Sequence, residues 1–183
     1  VVGRHMVTNA LLAASAGWLS GLSVEEVAYG LGGVEISDGR LKIRDLRGVS
    51  IVDDSYNANP DSMRAAVDTL AELDCKGRRF AVLGGMAELG ETAEEEHRKL
   101  GELVRARKID FLLSVGDQAR GITDGLSPNG GGRPMIEHFG EHEDCAEFLE
   151  ANISSGDLIL VKGSRSARME KVIEQMEKKE GGK

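Results

Sequence analysis

Short apolar runs alternate along the chain with longer segments whose apolar residues recur at helical spacing. The runs cover residues 49–52, 80–83, 111–115, 135–139 and 158–161. Strands that are apolar on both faces and alternate with helices are typical of a parallel sheet that is covered on both sides. We therefore predict an α/β fold with a doubly wound, mostly parallel, Rossmann-like sheet.

One further strand is predicted at the edge of this sheet. Apolar and basic residues alternate imperfectly over residues 41–47, as they do in a half-exposed strand. Gly48 follows and turns the chain into the run that begins at Val49. A turn this short joins neighbouring strands that run in opposite directions. The sheet should therefore contain one antiparallel strand.

Polar loops follow four of the apolar runs, at residues 54–59, 84–88, 116–118 and 162–166. The carboxyl ends of parallel strands lie at the same edge of a sheet, and ligands of open α/β sheets bind there. We therefore expect these four loops to meet along one rim. No family resemblance is needed for this expectation.

The richest of these loops leads directly into a helix. Asn59 is predicted to be the N-cap and Pro60 the first helical residue, because proline needs no N–H there. Asp53 and Asp54 are neighbours at the end of the strand, so their side chains should point to opposite faces. We expect one to face the crevice and the other to have a structural partner.

The first part of the chain has a different organisation. Residues 4–16 are predicted to form a helix with Ala and Leu on a buried side, and Ser23 with Glu26 forms a capping box for a second helix, residues 24–31. No strand accompanies these helices. We therefore divide the chain into a helical appendage, residues 1–34, and an α/β domain, residues 35–183.

Composition and charge exclude several classes of function. The net charge of −8 over 183 residues argues against nucleic-acid binding. No apolar run approaches the roughly 20 residues that span a bilayer, and no secretory signal is visible. Cys75 and Cys145 lack metal-type spacing and are expected to be free thiols in a reducing cytosol, so a cytoplasmic protein is expected and no metal site is predicted.

Five segments, taken together and in order, resemble the Mur ligase family. They are residues 3–11, 39–41, 53–63, 82–90 and 161–165. The Tyr-Asn-Ala-Asn-Pro sequence within the third segment resembles the members that add D-alanyl-D-alanine to UDP-MurNAc-tripeptide. The resemblance implies that residues 1–34 are the tail of the central ATP-binding domain and that residues 35–183 are the C-terminal domain.

The resemblance also implies two groups of site residues. The nucleotide-binding group is Asn9 at adenine, Arg40 at the phosphates, Asp54 near the ribose, and Tyr56. The substrate-binding group is Asn57, Asn59, Pro60, Lys162, Ser164 and Arg165. From the residues themselves, Lys162 and Arg165 could hold a carboxylate or phosphate on a tight turn.

Two positions depart from the family pattern. Met6 stands where the family usually has asparagine, which weakens the assignment of adenine recognition to this helix. Gly85 stands where the family usually has aspartate, so whatever that carboxylate orients is missing.

The implied reaction of the intact enzyme uses ATP and Mg²⁺ to phosphorylate the carboxylate of UDP-MurNAc-tripeptide, after which the amine of D-Ala-D-Ala attacks the acyl phosphate. Such chemistry needs a cradle for the transferred phosphoryl group. The sequence contains no Gly-x-x-x-x-Gly-Lys-Ser/Thr loop. We therefore assign no catalytic residue, expect no bound cofactor, and predict a closing domain that cannot ligate without the missing N-terminal and central domains.

Two other functions fit parts of the pattern. A non-catalytic Rossmann-like module could bind a small anion at the same rim. A signalling receiver domain needs an acidic pocket with a lysine at strand ends, which Asp53, Asp54 and Lys162 superficially provide. Failure to take phosphate from acetyl phosphate would count against the receiver domain.

Three local expectations complete the sequence-based picture. Thr92 and Glu95 should form a capping box at the start of a helix. His97, on the same helix, is expected to serve packing. Residues 127–134 are expected to form a flexible loop rather than a phosphate cradle.

Overall fold

The computed structural model describes residues 4–34, 37–124, 126 and 134–180. Two compact units are present, Val1–Ser37 and Asp38–Lys183, and each is described by itself. Within the described ranges, no helix combines the length and apolar character that crossing a membrane requires.

The first unit is a pair of helices, α1 (Arg4–Leu19) and α2 (Val24–Gly32). The predicted capping box is confirmed: the Ser23 hydroxyl accepts from the amide of Glu26 at 3.2 Å, and the Glu26 carboxylate accepts from the amide of Ser23 at 2.8 Å. The prediction of a buried side on α1 was wrong for this chain, because none of the described side chains of this unit is buried. Leu12 and Trp18 are 65% and 67% exposed.

The second unit contains a six-stranded sheet in the order β1-β2-β6-β3-β4-β5. The strands are β1 (Lys42–Leu46), β2 (Val49–Asp54), β3 (Arg79–Gly84), β4 (Phe111–Val115), β5 (Met135–Phe139) and β6 (Leu158–Lys162). β1 pairs antiparallel with β2, and all other pairs are parallel. The predicted mostly parallel sheet with one antiparallel strand is confirmed.

Five helices accompany the sheet: α3 (Pro60–Glu72), α4 (Ala93–Ala106), α5 (Arg120–Thr123), α6 (His142–Asn152) and α7 (Glu170–Glu180). The start of α3 is as predicted, with Pro60 as the first residue and Asn59 as the N-cap. The Asn59 side chain accepts from the amide of Ser62 at 2.8 Å, and the Ser62 hydroxyl accepts from the amide of Asn59 at 3.0 Å.

The predicted capping box of α4 was wrong. Thr92 ends a 3₁₀ turn, Gly90–Thr92, and has helical backbone angles rather than the extended ones of an N-cap. Its hydroxyl instead donates to the carbonyl of Leu89 at 2.8 Å. The predicted loop 127–134 lies outside the described residues, apart from Pro134.

A buried acid, Asp157, lies at the amino ends of the central strands, opposite the polar rim. The Asp157 carboxylate accepts from the guanidinium and the amide of Arg78, each at 2.7 Å, and from the amide of Ser154 at 2.9 Å. The Arg78 guanidinium also lies over the stacked rings of Phe80 and Phe111, whose centroids are 4.1 Å apart. This cluster fixes the amino ends of the central strands.

Candidate functional site

The carboxyl ends of the parallel strands do form one rim. Asp54 at the end of β2 is in register with Lys162 at the end of β6, which is in register with Leu83 of β3. The amide of Ser164 donates to the carbonyl of Gly85 at 3.0 Å, which joins the loops that follow β6 and β3. The expected convergence of the polar loops is therefore present.

Lys162 is the centre of this rim. Its side chain is only 3% exposed, and its ammonium donates to the Asp54 carboxylate at 2.5 Å and to the carbonyl of Asn57 at 2.9 Å. The other Asp54 oxygen accepts from the amide of Leu41 at 3.2 Å. One buried ion pair thus holds the loop after β2, the end of β6 and the segment before β1 together.

Asp53 faces the other side of the sheet, as the alternation of a strand requires. Its carboxylate accepts from the guanidinium of Arg44 at 3.1 Å and from the hydroxyl of Ser55 at 2.6 Å. Both acids therefore have structural partners, and Asp54 is the one that lies on the rim.

Arg40 and Tyr56 form an exposed pair beside Asp54. The guanidinium carbon of Arg40 lies 4.3 Å from the centre of the Tyr56 ring, which is a cation–π contact. The amide of Tyr56 donates to the carbonyl of Gly39 at 2.9 Å. Gly39 has a φ of +73°, and a Cβ there would lie 2.9 Å from the Tyr56 nitrogen, so only glycine fits this turn.

Asn57 is exposed on a backbone that Lys162 holds in place. Its side-chain oxygen accepts from the amide of Ala58 at 2.9 Å. Asn59 is engaged in capping α3, with Pro60 directly after it. Of the two asparagines, Asn57 is therefore the less committed to local structure.

The two cations expected on the turn after β6 each have a carboxylate partner. Lys162 is paired with Asp54, and Arg165, although 68% exposed, is paired with Glu170 at 3.1 Å. Ser164 between them is buried, and its hydroxyl lies 3.0 Å from that of Ser166.

The structure describes the surroundings of Gly85 and Met6, the two positions that depart from the family pattern. A Cβ at Gly85 would lie 2.6 Å from the Cβ of Gln118, so an aspartate at this position needs the neighbouring loop to shift. Asn9 lies in the first unit, where its amide donates to the sulfur of Met6 at 4.0 Å.

His97 has a role beyond the expected packing. Its ring is buried in α4, and Nε2 accepts from the amide of Met86 at 2.8 Å, which holds the loop after β3. Burial lowers the pKa of His97 below its usual value, and a hydrogen bond with the backbone of Ala93 opposes that effect in part. In the sequence, His97 is marked only by its helical spacing, and this spacing does not reveal a partner in another loop.

Acidification should therefore destabilise the α/β unit through His97. The unfolded chain takes up a proton at His97 near pH 6.5, whereas the folded chain resists it, so stability is full above this pH and falls below it. For this one proton, the free energy of unfolding falls by at most about 1.4 kcal/mol for each pH unit. Denaturant unfolding at pH 7.5 and 5.5 measures it.

The variant His97→Gln keeps an acceptor for the amide of Met86 but does not titrate. The free energy of unfolding of the wild type, minus that of His97→Gln, should therefore be smaller at pH 5.5 than at pH 7.5, or change sign. An equal difference at both pH values would contradict the assigned neutral state of His97.

Arg40 gives the rim an exposed guanidinium. No carboxylate partner of it occurs among the described residues, so its fork of N–H donors is open to phosphate oxygens. In the same described ranges, no group of three His, Cys, Asp or Glu side chains could hold a metal ion. A second part of the rim is a cleft of about 220 Å³ lined by Gly85, Gly116, Gln118, His142 and Ser166.

Comparison with known proteins identifies the family. Residues 39–165 match the family model described as "Mur ligase, glutamate ligase domain". The chain is similar to the UDP-N-acetylmuramoyl-tripeptide–D-alanyl-D-alanine ligases of Escherichia coli, with 40% identity over 178 residues, and of Bacillus subtilis, with 34% identity over 177 residues. Each alignment covers 96% of this chain but only 37% and 38% of the respective relative.

Solved structures agree with this result. MurF from Acinetobacter baumannii superposes with a TM-score of 0.83 and 30% identity, covering 96% of this chain and 38% of that one. MurF from Thermotoga maritima, solved in complex with ADP, has a TM-score of 0.68 and 32% identity over 82% of this chain and 33% of that one. With a family model that matches most of its length, the chain belongs to the Mur ligase family.

Proposed function

We propose that this chain is the C-terminal, substrate- and nucleotide-closing domain of an ATP-dependent peptide ligase. The intact enzyme joins D-Ala-D-Ala to UDP-MurNAc-tripeptide in peptidoglycan precursor synthesis, and thus in cell-wall biogenesis in the cytoplasm. The observation that supports this most is the joining of Asp54, Asn57 and Lys162 on one rim. Two relatives at 34% and 40% identity are UDP-N-acetylmuramoyl-tripeptide–D-alanyl-D-alanine ligases, which favours the same reaction.

In this proposal the nucleotide meets the rim at Arg40, Tyr56 and Asp54. Arg40 contacts phosphate oxygens, and its stacking on Tyr56 limits the entropy lost when it does so. Asp54 lies near the ribose. ATP, when bound, supplies the phosphoryl group that activates the acceptor carboxylate. Asn9 lies in the other unit, in the helical appendage of residues 1–34 that we assign to the tail of the central domain, and is proposed by itself as an adenine contact of the intact enzyme.

The dipeptide is proposed to meet the same rim from the loops after β2 and β6. Asn57 offers an amide on a backbone that is fixed before the substrate arrives, which reduces the cost of binding. Asn59, Pro60, Lys162, Ser164 and Arg165 complete this group, with Lys162 acting mainly by holding Asn57 and Asp54 in place.

The remaining parts of the reaction are assigned to the rest of the enzyme. Mg²⁺ and the phosphate cradle are assigned to the central domain of the enzyme. The N-terminal and central domains are the partners of this domain, and its closure over them excludes water from the acyl phosphate.

Calorimetric titration of the purified chain with D-Ala-D-Ala tests the substrate assignment. Weak binding is expected, because half of the pocket lies in other domains, and Asn57→Ala should abolish it. Asn152→Ala, at the opposite edge of the sheet, should leave the binding unchanged. Lys162→Ala should also abolish binding, but it removes a buried ion pair and so cannot separate a substrate role from a folding role.

Two results would reject the proposal. Binding of inorganic phosphate without any preference for D-Ala-D-Ala would favour the non-catalytic anion-binding module. ATP-dependent amide formation by the purified chain alone would show that it carries the catalytic centre itself.

A further inference from the structure

The buried carboxylate of Asp53 has its two oxygens committed to different partners. Its side chain is only 3% exposed. Oδ2 accepts from the guanidinium of Arg44 at 3.1 Å, whereas Oδ1 accepts from the hydroxyl of Ser55 at 2.6 Å and from the amide of the same residue at 3.2 Å. By holding Oδ2, Arg44 keeps the carboxylate in the orientation in which Oδ1 faces Ser55.

Ser55 connects this carboxylate to the exposed pair on the rim. Ser55 is buried, and the next residue, Tyr56, carries the ring over which the guanidinium of Arg40 lies. The amide of Tyr56 donates to the carbonyl of Gly39 at 2.9 Å, and a Cβ at Gly39 would lie only 3.2 Å from the hydroxyl oxygen of Ser55. Because these groups are close-packed, a change in the orientation of Asp53 would reach both members of the exposed pair.

The guanidinium of Arg44 also lies near two other acids. Nη2 is 3.4 Å from the carboxylate of Asp38, directly before Gly39, and Nη1 is 3.6 Å from that of Glu177 on α7. Both of these acids are exposed to water, which can replace a lost cation at little cost. Asp53 is therefore the partner for which the charge of Arg44 matters most.

We propose, on the basis of the proposed function, that Arg44 is a positioning residue for nucleotide binding. It acts from the other face of the sheet, through Asp53 and Ser55, which fix the backbone from which Tyr56 presents its ring to Arg40. A guanidinium that is ordered before the nucleotide arrives loses less entropy when it contacts phosphate oxygens. Arg44 therefore raises the affinity for a nucleotide that it does not contact.

Calorimetric titration of the full chain with ADP tests this proposal. Arg44→Met leaves the buried carboxylate of Asp53 without its cation, so the affinity for ADP should fall at least about fivefold. Adding Asp53→Asn removes that charge while an amide oxygen still accepts from Ser55, so the double variant should recover most of the affinity. Arg107→Met removes a cation from an exposed ion pair with Asp68, controls for net charge, and should bind as wild type does.

Three results of the titration would overturn the positioning role. They are an unchanged affinity of Arg44→Met, equal weakening in Arg107→Met, and a double variant that stays as weak as Arg44→Met. The last result would mean that Arg44 contacts the nucleotide directly, since Asp53→Asn cannot restore such a contact. If the wild-type chain itself binds no ADP, the proposed nucleotide role of the rim has failed, whereas failure of the positioning role alone leaves wild-type binding intact.

Hydrogen exchange of the ligand-free chain provides a second measurement. The amides of Ser55 and Tyr56 should exchange faster in Arg44→Met than in the wild type, and equal rates would overturn the proposal. Far-UV circular dichroism verifies that each variant is folded. Arg44→Lys, which keeps the charge but loses the fork of donors, replaces Arg44→Met if the latter is unfolded, and both changes should have the same direction.

Discussion

Replacing Lys162 with methionine is expected to lower the free energy of unfolding by about 3–5 kcal/mol. The lysine side chain is 3% exposed and its partner Asp54 is 14% exposed, so the substitution leaves a carboxylate with little access to water. It also removes the donor to the carbonyl of Asn57. Urea unfolding followed by far-UV circular dichroism measures the loss.

A second variant distinguishes loss of the ion pair from a simple packing defect as the cause of this destabilisation. Adding Asp54→Asn to Lys162→Met removes the charge that Lys162 balances in the wild type, so the double variant should recover a large part of the lost stability. Lys99→Met, which breaks the ion pairs of an exposed lysine with Glu95 and Glu96, should have little effect. A Lys162→Met variant as stable as Lys99→Met would contradict a structural role for the buried pair.

Gly101→Ala is expected to destabilise the α/β unit by about 3 kcal/mol. Alanine normally stabilises a helix interior by about 1 kcal/mol relative to glycine. At this position of α4, however, a Cβ would run into the carbonyl oxygen of Ile122 and lie 2.7 Å from a methyl group of Leu126. The backbone of α5 cannot move away without losing its own contacts.

Thermal and urea unfolding of Gly101→Ala compare directly with Gly140→Ala. A Cβ at Gly140 meets no atom within 4 Å, so this control should be close to neutral. Stabilisation by Gly101→Ala, as helix propensity alone predicts, would show that α4 and α5 are not packed as described.

The parts of the fold that follow local rules could be predicted from the sequence. Asn59 and Pro60 cap α3 as expected, because capping depends on residues within three positions of each other. The common rim followed from the alternation of strands and helices, since parallel strands must end at one edge. The prediction for Thr92 failed because this residue lies in a 3₁₀ turn, where its hydroxyl donates to the carbonyl of Leu89.

The chemistry of the rim was harder to predict than its position. Lys162 pairs with an acid 108 positions earlier in the chain, and a single sequence gives no sign of that contact. The sequence therefore predicts a cation open to ligands, whereas Lys162 is buried and paired with Asp54.

The position of β6 has a consequence for biosynthesis. This strand is the last of the six along the chain, yet it lies between β2 and β3, which do not pair with each other. A ribosome must therefore release the final strand before the sheet can close, and until then β2 and β3 expose open edges that invite aggregation. The nascent polypeptide should need protection by a chaperone until β6 has emerged from the ribosome.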